Sequence, residues 1–148
     1  MTPSHSVRSI RVLVDTSAYF AAANRRDAAH EQASTTLRRL VEERRRLSTT
    51  NFTLAELHAL LLTRVDRQIA SQVLAEVDAS RSSTVVRVSA RDEQRAREII
   101  SQYDDKDFSL TDATSFAVTE WLRTQQAFTL DRNFTQYGWT VIGEVDQP

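Results

Sequence analysis

The chain has 148 residues, 41% of them hydrophobic and 26% charged, and a formal net charge of -1. This length and composition predict one globular domain and exclude both a disordered chain and two full-sized domains. The chain has no cysteine, so we expect no disulfides and no thiolate chemistry. It also contains no apolar run near the ~18 residues of a membrane span and no apolar core of a signal peptide. We therefore expect a protein of the reducing cytoplasm.

Short apolar runs alternate with segments of helical periodicity along the chain. We predict strands at 10–14, 47–49, 84–88, 127–130 and 139–142. We predict helices at 17–23, 28–45, 52–64, 67–79, 90–102 and 111–123, and a turn at 132–134. Crossovers of this length predict a mostly parallel sheet covered by helices, which is an α/β fold. The domain is expected to span 10–142, between a flexible N-terminal tail at 1–9 and a C-terminal tail at 143–148.

Four carboxylates stand where a parallel sheet places its ligands. Asp15 follows the first predicted strand, Asp131 follows the strand at 127–130, and Glu56 and Asp112 fall in the first turns of predicted helices. In right-handed βα units these positions lie at the carboxyl edge of the sheet. Four ionised acids in one crevice repel one another, and a bound divalent cation is the usual way to keep them charged. The pattern therefore predicts a metal-dependent hydrolytic or phosphoryl-transfer site.

Each of these acids also has a purely structural interpretation. Glu56 and Asp112 stand three residues after a threonine and a serine, which is the spacing of a capping box, and the same spacing occurs at Ser89-x-x-Asp92. Asp15 could cap the helix that follows it, and Asp131 could begin a turn. Four independent caps have no reason to share one edge of a sheet, so their joint occurrence favours a site.

The predicted helix at 52–64 carries apolar residues almost all round, which predicts that it is largely buried. Its glutamate then needs a compensating partner or a cation-filled cleft. We interpret His58 as a core or hydrogen-bonded histidine, because no second histidine stands at metal-ligand spacing. Asp66 is interpreted as an N-cap, and Asp107 is kept as a candidate outer member of the acidic site.

The basic residues are almost all arginines, which can bind phosphate with two parallel hydrogen bonds. They number 19 with a single lysine, and they form runs at 25–26, 38–39 and 44–46. A basic face around the acidic centre and an ordinary solvated surface both remain open. With only two glycines and no G-x-S-x-G sequence, the chain has no glycine-rich phosphate loop and no serine-hydrolase elbow.

Four blocks of sequence resemble the PIN-domain ribonucleases, most closely the VapC-like toxins of bacterial toxin–antitoxin pairs. The blocks keep the family's order and spacing between residues 10 and 142. They are Asp15-Thr16-Ser17-Ala18-Tyr19-Phe20-Ala21, Thr53-Leu54-Ala55-Glu56-Leu57, Asp107-Phe108-Ser109-Leu110-Thr111-Asp112-Ala113-Thr114-Ser115-Phe116-Ala117 and Phe128-Thr129-Leu130-Asp131-Arg132-Asn133-Phe134.

The resemblance implies a parallel five-stranded sheet flanked by helices and an endoribonuclease that cleaves single-stranded RNA with Mg²⁺ or Mn²⁺. It implies that the principal metal ligands are Asp15 and Asp112. It also implies that Glu56 and Asp131 complete the site, directly or through water. The hydroxyl of Ser17 or Thr111 is expected to orient these acids.

The resemblance also implies a homodimer and a small VapB-like antitoxin. The antitoxin peptide is expected to occupy a groove near the helices at 17–23 and 28–45. The apolar residues 19–23 suit such a groove, and burial in the core explains them equally well.

Two other functions remain open at this point. The chain could be a non-catalytic PIN-like module that binds RNA or a protein, although acids at all four positions favour the enzyme. It could also be a phosphatase with Asp15 as nucleophile, but the second aspartate of such enzymes is here Ser17.

Overall fold

The computed structural model describes residues 11–143, within which there are five strands and seven helices. The strands are β1 (Arg11–Val14), β2 (Arg46–Thr50), β3 (Ser83–Val86), β4 (Gln126–Thr129) and β5 (Thr140–Gly143). The helices are α1 (Thr16–Ala23), α2 (His30–Glu42), α3 (Asn51–Arg64), α4 (Arg67–Ala79), α5 (Ala90–Gln102), α6 (Leu110–Leu122) and α7 (Arg132–Gln136). The predicted tails, apart from residue 143, lie outside the described residues, as does Ile10. No helix in the described part is long and apolar enough to cross a bilayer.

The five strands form one parallel sheet in the order β3-β2-β1-β4-β5, which confirms the predicted α/β fold. β1 lies at the centre, with β2 on one side and β4 on the other. The strand order therefore reverses between β1 and β4. In open α/β sheets, the crevice at the carboxyl ends of such strands is where ligands bind.

The sheet has a hydrophobic core on each face, and β1 contributes to both. Val12 and Val14 pack on one face with buried residues of α1 to α4, such as Leu57. Leu13 packs on the other face with residues of α5 and α6, such as Phe116. Burial on both faces is why residues 12–14 of this strand form a continuous apolar run with no polar alternation.

The helix predicted at 28–45 is shorter than expected, because its last turn closes on a residue in the left-handed region. Arg44 has a φ of 60°. Its N–H donates to the carbonyl of Val41, and the N–H of Arg45 donates to the carbonyl of Leu40. These two bonds form a Schellman motif that ends α2 and turns the chain into β2. The arginine run at 44–46 thus comprises the end of this connection and the first residue of β2, at the amino edge of the sheet.

The prediction that the helix at 52–64 is largely buried is wrong. Leu57 and Leu61 of α3 are fully buried, but Ala55 and Ala59 are exposed and Leu62 is 46% exposed. The helix packs against the sheet, α1, α4 and α6, and its remaining side faces solvent.

Two smaller differences lie at strand ends. β3 ends at Val86, because the N–H of Val88 donates to the side chain of Asn51 at 2.8 Å in place of a strand partner. The predicted turn at 132–134 is the start of the short helix α7, which Asp131 caps.

Candidate active site

A cavity of about 590 Å³ opens at the carboxyl edge of the sheet, beside the ends of β1 and β4. Six carboxylates of the described residues line it: Asp15, Asp27, Glu56, Asp107, Asp112 and Asp131. The four acids that the sequence predicts as site residues are among them, so the fold brings these four together. Asp107, the candidate outer member, is also present, and Asp27 is an addition from the α1–α2 connection.

Asp15 comes directly after β1 and is only 4% exposed. The register that pairs Val14 with Phe128 places its carboxylate beside β4, where the Thr129 hydroxyl donates to Asp15 Oδ2 at 2.9 Å. The Ser17 hydroxyl donates to the same oxygen at 3.0 Å. Asp15 occupies the N-cap position of α1 but accepts no capping hydrogen bond. The capping interpretation of this residue is therefore wrong.

The two hydroxyls beside Asp15 are themselves held by the backbone. Ser17 Oγ accepts the N–H of Leu130 at 2.9 Å, and Thr129 Oγ1 accepts the N–H of Asp131 at 2.9 Å. Each hydroxyl thus accepts one hydrogen bond from a backbone N–H and donates its own hydrogen bond to Asp15. The sequence offered no signal for Thr129 beyond its place two residues before Asp131.

The electrostatics of Asp15 are those of a buried acid in an acidic surrounding. The pKa of Asp15 is raised to about 6. Burial is the main cause, the donors Thr129 and Ser17 oppose the rise, and the nearby charge of Asp112 adds to it. The ionised form is therefore costly in the folded protein, and a cation in the cavity would remove that cost.

Asp112 is 7% exposed and combines the capping role with a place in the site. Ser109 Oγ accepts the N–H of Asp112 at 3.0 Å, and Asp112 Oδ2 accepts the N–H of Ser109 at 3.1 Å, so the predicted capping box is present. The Asn133 amide donates to the same Oδ2 at 2.8 Å. Burial raises the pKa of Asp112, Asn133 and Ser109 oppose the rise, and the charge of Asp131 adds to it. Within residues 11–143, Oδ1 receives no hydrogen bond.

Glu56 is not part of a capping box, which contradicts the structural interpretation of this residue. The cap of α3 is Thr50, whose hydroxyl accepts the N–H of Thr53 at 3.0 Å. Glu56 is half-buried, lines the cavity and makes no hydrogen bond or ion pair with residues 11–143. Asp131 does have the expected local role, since its Oδ1 accepts the N–H of Asn133 at 3.0 Å.

Several other candidates lie away from this cavity. His58 does not line it, and the Asp66 side chain caps α4 by accepting the N–H of Ile69 at 2.8 Å. The arginine runs do not line it either, and Arg64 is the one basic residue among its described lining residues. Thr111, unlike Ser17, makes no side-chain hydrogen bond with the acids of residues 11–143.

The donor set of the cavity suits a hard divalent cation, because such ions prefer carboxylate oxygens. Within residues 11–143, no three acidic or histidine side chains already converge as ligands of one ion. Mg²⁺ commonly uses one or two carboxylates and completes its shell with water and substrate oxygens. Asp15 and Asp112, whose charges interact, are the pair that this arrangement favours.

Comparison with known proteins places this geometry in context. The PIN domain model matches residues 12–139. VapC20 of Mycobacterium tuberculosis, a 23S rRNA-specific endonuclease, is 33% identical over 134 residues, which are 88% of this chain and 97% of that protein. The crystal structure of VapC20, described as a sarcin-ricin loop cleaving toxin, has a TM-score of 0.80 at 30% identity and covers 87% of this chain and 96% of the other.

Two more distant structures share the fold alone. FitAcB of Neisseria gonorrhoeae has a TM-score of 0.62 at 15% identity, with 88% of this chain and 96% of that chain covered. PAE2754 of Pyrobaculum aerophilum has a TM-score of 0.62 at 22% identity, with 93% of each chain covered.

Proposed function

The chain belongs to the PIN-domain family, and on this premise we propose that it is a metal-dependent endoribonuclease that acts as the toxin of a bacterial toxin–antitoxin pair. The observation that carries the proposal is the common cavity at the strand switch, which all four predicted acids line. The activity of VapC20, a relative that matches nearly end to end, supports RNA as the substrate.

Each acid has a place in the proposed mechanism. Asp15 and Asp112 would hold Mg²⁺ or Mn²⁺, and Glu56 and Asp131 would complete the site directly or through water. The chemistry that the bound cation supplies is polarisation of the scissile phosphate and acidification of a bound water.

The neighbouring side chains keep the principal ligands in place. Ser17 and Thr129 fix one oxygen of Asp15, so the carboxylate cannot rotate away from the cavity. Asn133 and the backbone of Ser109 fix one oxygen of Asp112, which leaves the other available. Removing a hydrogen-bonding partner of a metal ligand commonly lowers metal affinity or activity by ~10–100-fold.

The first substrate to test is the sarcin-ricin loop of 23S rRNA, because VapC20 cleaves it. A hairpin that carries this loop and an unrelated hairpin of equal length would separate selective from general RNA cleavage. The sequence preference would come from groups at the rim of the cavity, since phosphate contacts carry no base information.

The catalytic prediction concerns Asp15→Asn. We expect cleavage of the hairpin with Mg²⁺ or Mn²⁺, no cleavage in EDTA, and at least a ~100-fold lower rate for the variant, because a weakened ligand loosens metal and water together. The matched control is Asp104→Asn, an exposed aspartate that does not line the cavity and should cleave like the parent.

The other function classes give different results in the same assay. A non-catalytic module would bind the hairpin and leave it intact with either metal. A phosphatase that uses Asp15 as nucleophile would retain a covalent phosphoryl group after acid quenching. Cleavage by Asp15→Asn at the parent rate would remove Asp15 from the mechanism.

We further propose a small antitoxin as the partner, together with a homodimer and a cytoplasmic location. A groove of about 430 Å³ runs between α1, α2 and α4, and apolar side chains line much of it, including Ala22, Ala23, Leu37 and Val73. This is the region where the sequence resemblance expects the antitoxin peptide. Of the apolar residues 19–23, Ala21 belongs to the core and Phe20 lines the acidic cavity.

The partner prediction is tested in cells and in solution. Expression of the chain alone should arrest growth, and co-expression with the small protein of the neighbouring gene should relieve the arrest through a stable complex. Asp112→Asn should abolish the arrest. If this variant and the parent leave growth equally unaffected, the toxin role is wrong. Light scattering of the purified chain tests the dimer.

A further inference from the structure

Among the described residues, Arg64 is the single positively charged side chain in a cavity lined by carboxylates. Six carboxylates line this cavity, and no other arginine or lysine of the described residues does so. An RNA strand that enters carries a negative charge at each phosphate. Six carboxylates oppose the entry of that strand, and a positive group on the protein would offset part of the repulsion.

The geometry of α3 sets the distance along the helix axis between Arg64 and Glu56. Glu56, Leu60 and Arg64 follow one another at four-residue spacing and line the same cavity. Along the helix axis, eight residues correspond to a rise of about 12 Å. Read along α3, the wall therefore changes from acid through an apolar side chain to arginine, and Leu60 separates the two charges.

The guanidinium of Arg64 is available to a ligand. Its side chain is exposed and makes no hydrogen bond or ion pair with residues 11–143, although six carboxylates line the same cavity. It lies in the last turn of α3, where the helix dipole favours a positive charge. Its planar fork of donors matches the oxygens of a phosphate.

From these observations we propose that Arg64 binds a backbone phosphate that flanks the scissile one and so aligns the RNA strand along α3. The inference rests on the proposed ribonuclease function and adds to it a substrate-binding residue that belongs to no acidic motif. The contact is with the backbone, so it raises affinity for RNA strands without selecting their sequence.

The test compares the parent with Arg64→Gln, Arg64→Lys and a matched control, Arg67→Gln. Arg67 is an exposed arginine three residues later, in the first turn of α4, and it does not line the cavity. Cleavage of an RNA hairpin with Mg²⁺ is measured over a series of salt concentrations. Binding of an unstructured RNA oligonucleotide is measured in parallel by fluorescence anisotropy with Ca²⁺ in place of Mg²⁺, because carboxylates bind either ion. Thermal melting checks that all variants are folded.

Arg64→Gln is expected to lower kcat/KM by at least ~10-fold, mainly through KM, because a charge-assisted hydrogen bond to phosphate is lost. For this variant, the slope of log(kcat/KM) against log salt concentration should be shallower than the parent's by about one. Arg64→Lys should retain the parent's salt dependence with a smaller loss in kcat/KM, and Arg67→Gln should match the parent.

Two results would overturn the inference, and they are distinguishable. If the parent cleaves RNA and Arg64→Gln matches it in kcat/KM and salt dependence, Arg64 binds no phosphate and the proposed function stands. If the parent neither cleaves nor binds RNA, the proposed function fails and this inference fails with it.

Discussion

Asp15 shows how one buried residue acquires its chemical character from its surroundings. Its carboxylate is 4% exposed, and its hydrogen bonds in the described residues come from two neutral hydroxyls, those of Ser17 and Thr129. Burial and the charge of Asp112 raise its pKa from 3.8 to about 6. The folded, metal-free protein therefore bears a cost when Asp15 ionises, which a protein under selection for stability alone would avoid.

This cost predicts a pH dependence of stability. A raised pKa means that the free energy of unfolding falls as pH rises through about 6, because the folded state resists ionisation more than the unfolded state does. Between about pH 4.5 and 7.5, the metal-free parent should lose about 2 kcal/mol relative to Asp15→Asn. Urea denaturation of both proteins in EDTA measures this difference. If the free energies of unfolding of the two proteins changed equally with pH, the pKa of Asp15 would not be raised by its surroundings.

At the scale of elements, two helices begin with the same capping box and use it differently. In α5, Asp92 accepts the N–H of Ser89 on one oxygen and the Trp121 side chain on the other, each at 3.0 Å. In α6, Asp112 accepts both of its donors on Oδ2. The first acid is fully engaged in structure, whereas the second keeps an oxygen for the cavity.

Substituting the two capping serines separates structure from activity. Ser89→Ala and Ser109→Ala should each lower the free energy of unfolding by about 1 kcal/mol, because each leaves a backbone N–H of the first turn without its acceptor. Only Ser109→Ala should also reduce the cleavage rate, since it loosens the turn that positions Asp112. Ser89→Ala is the internal control for the loss of stability alone. Equal rates for both variants would show that the cap does not position Asp112.

At the scale of the whole molecule, the site assembles only when both faces of the sheet are covered. Glu56 comes from α3, which packs on one core, and Asp112 comes from α6, which packs mainly on the other. Asp15 and Asp131 follow the two strands between them. The cavity therefore depends on the closed fold, and a cation that binds it should stabilise that fold by mass action.

Stability with and without Mg²⁺ tests this dependence. In EDTA at neutral pH, Asp112→Asn should melt at a higher temperature than the parent, because removing one charge relieves repulsion and the cost of burying it. Asparagine can still accept the N–H of Ser109, so the cap is largely kept. Millimolar Mg²⁺ should then raise the melting temperature of the parent more than that of the variant. If the variant instead melts at a lower temperature than the parent in EDTA and gains as much as the parent from Mg²⁺, Asp112 is a helix cap and not a metal ligand.

The sequence by itself determined the order of strands and helices, the α/β fold and the acids that share one edge of the sheet. These features follow from local patterns: an apolar run for a buried strand, helical periodicity, and an acid directly after a strand. The family motifs identified the same acids because they contain them. Local spacing was also sufficient for the caps at Asp66 and Asp92, whose partners lie three residues away.

Only the tertiary structure decided how the acids are held and which other side chains join them. Thr129 reaches Asp15 across 114 positions, and Asn133 reaches Asp112 across 21, through strand register and packing that no local pattern encodes. The exposed side of α3 and the presence of Arg64 in the cavity follow from which helices pack against α3. Contacts between residues distant in sequence depend on how helices and strands pack together. The acids could therefore be predicted from the sequence, whereas their hydrogen-bond partners and burial could not.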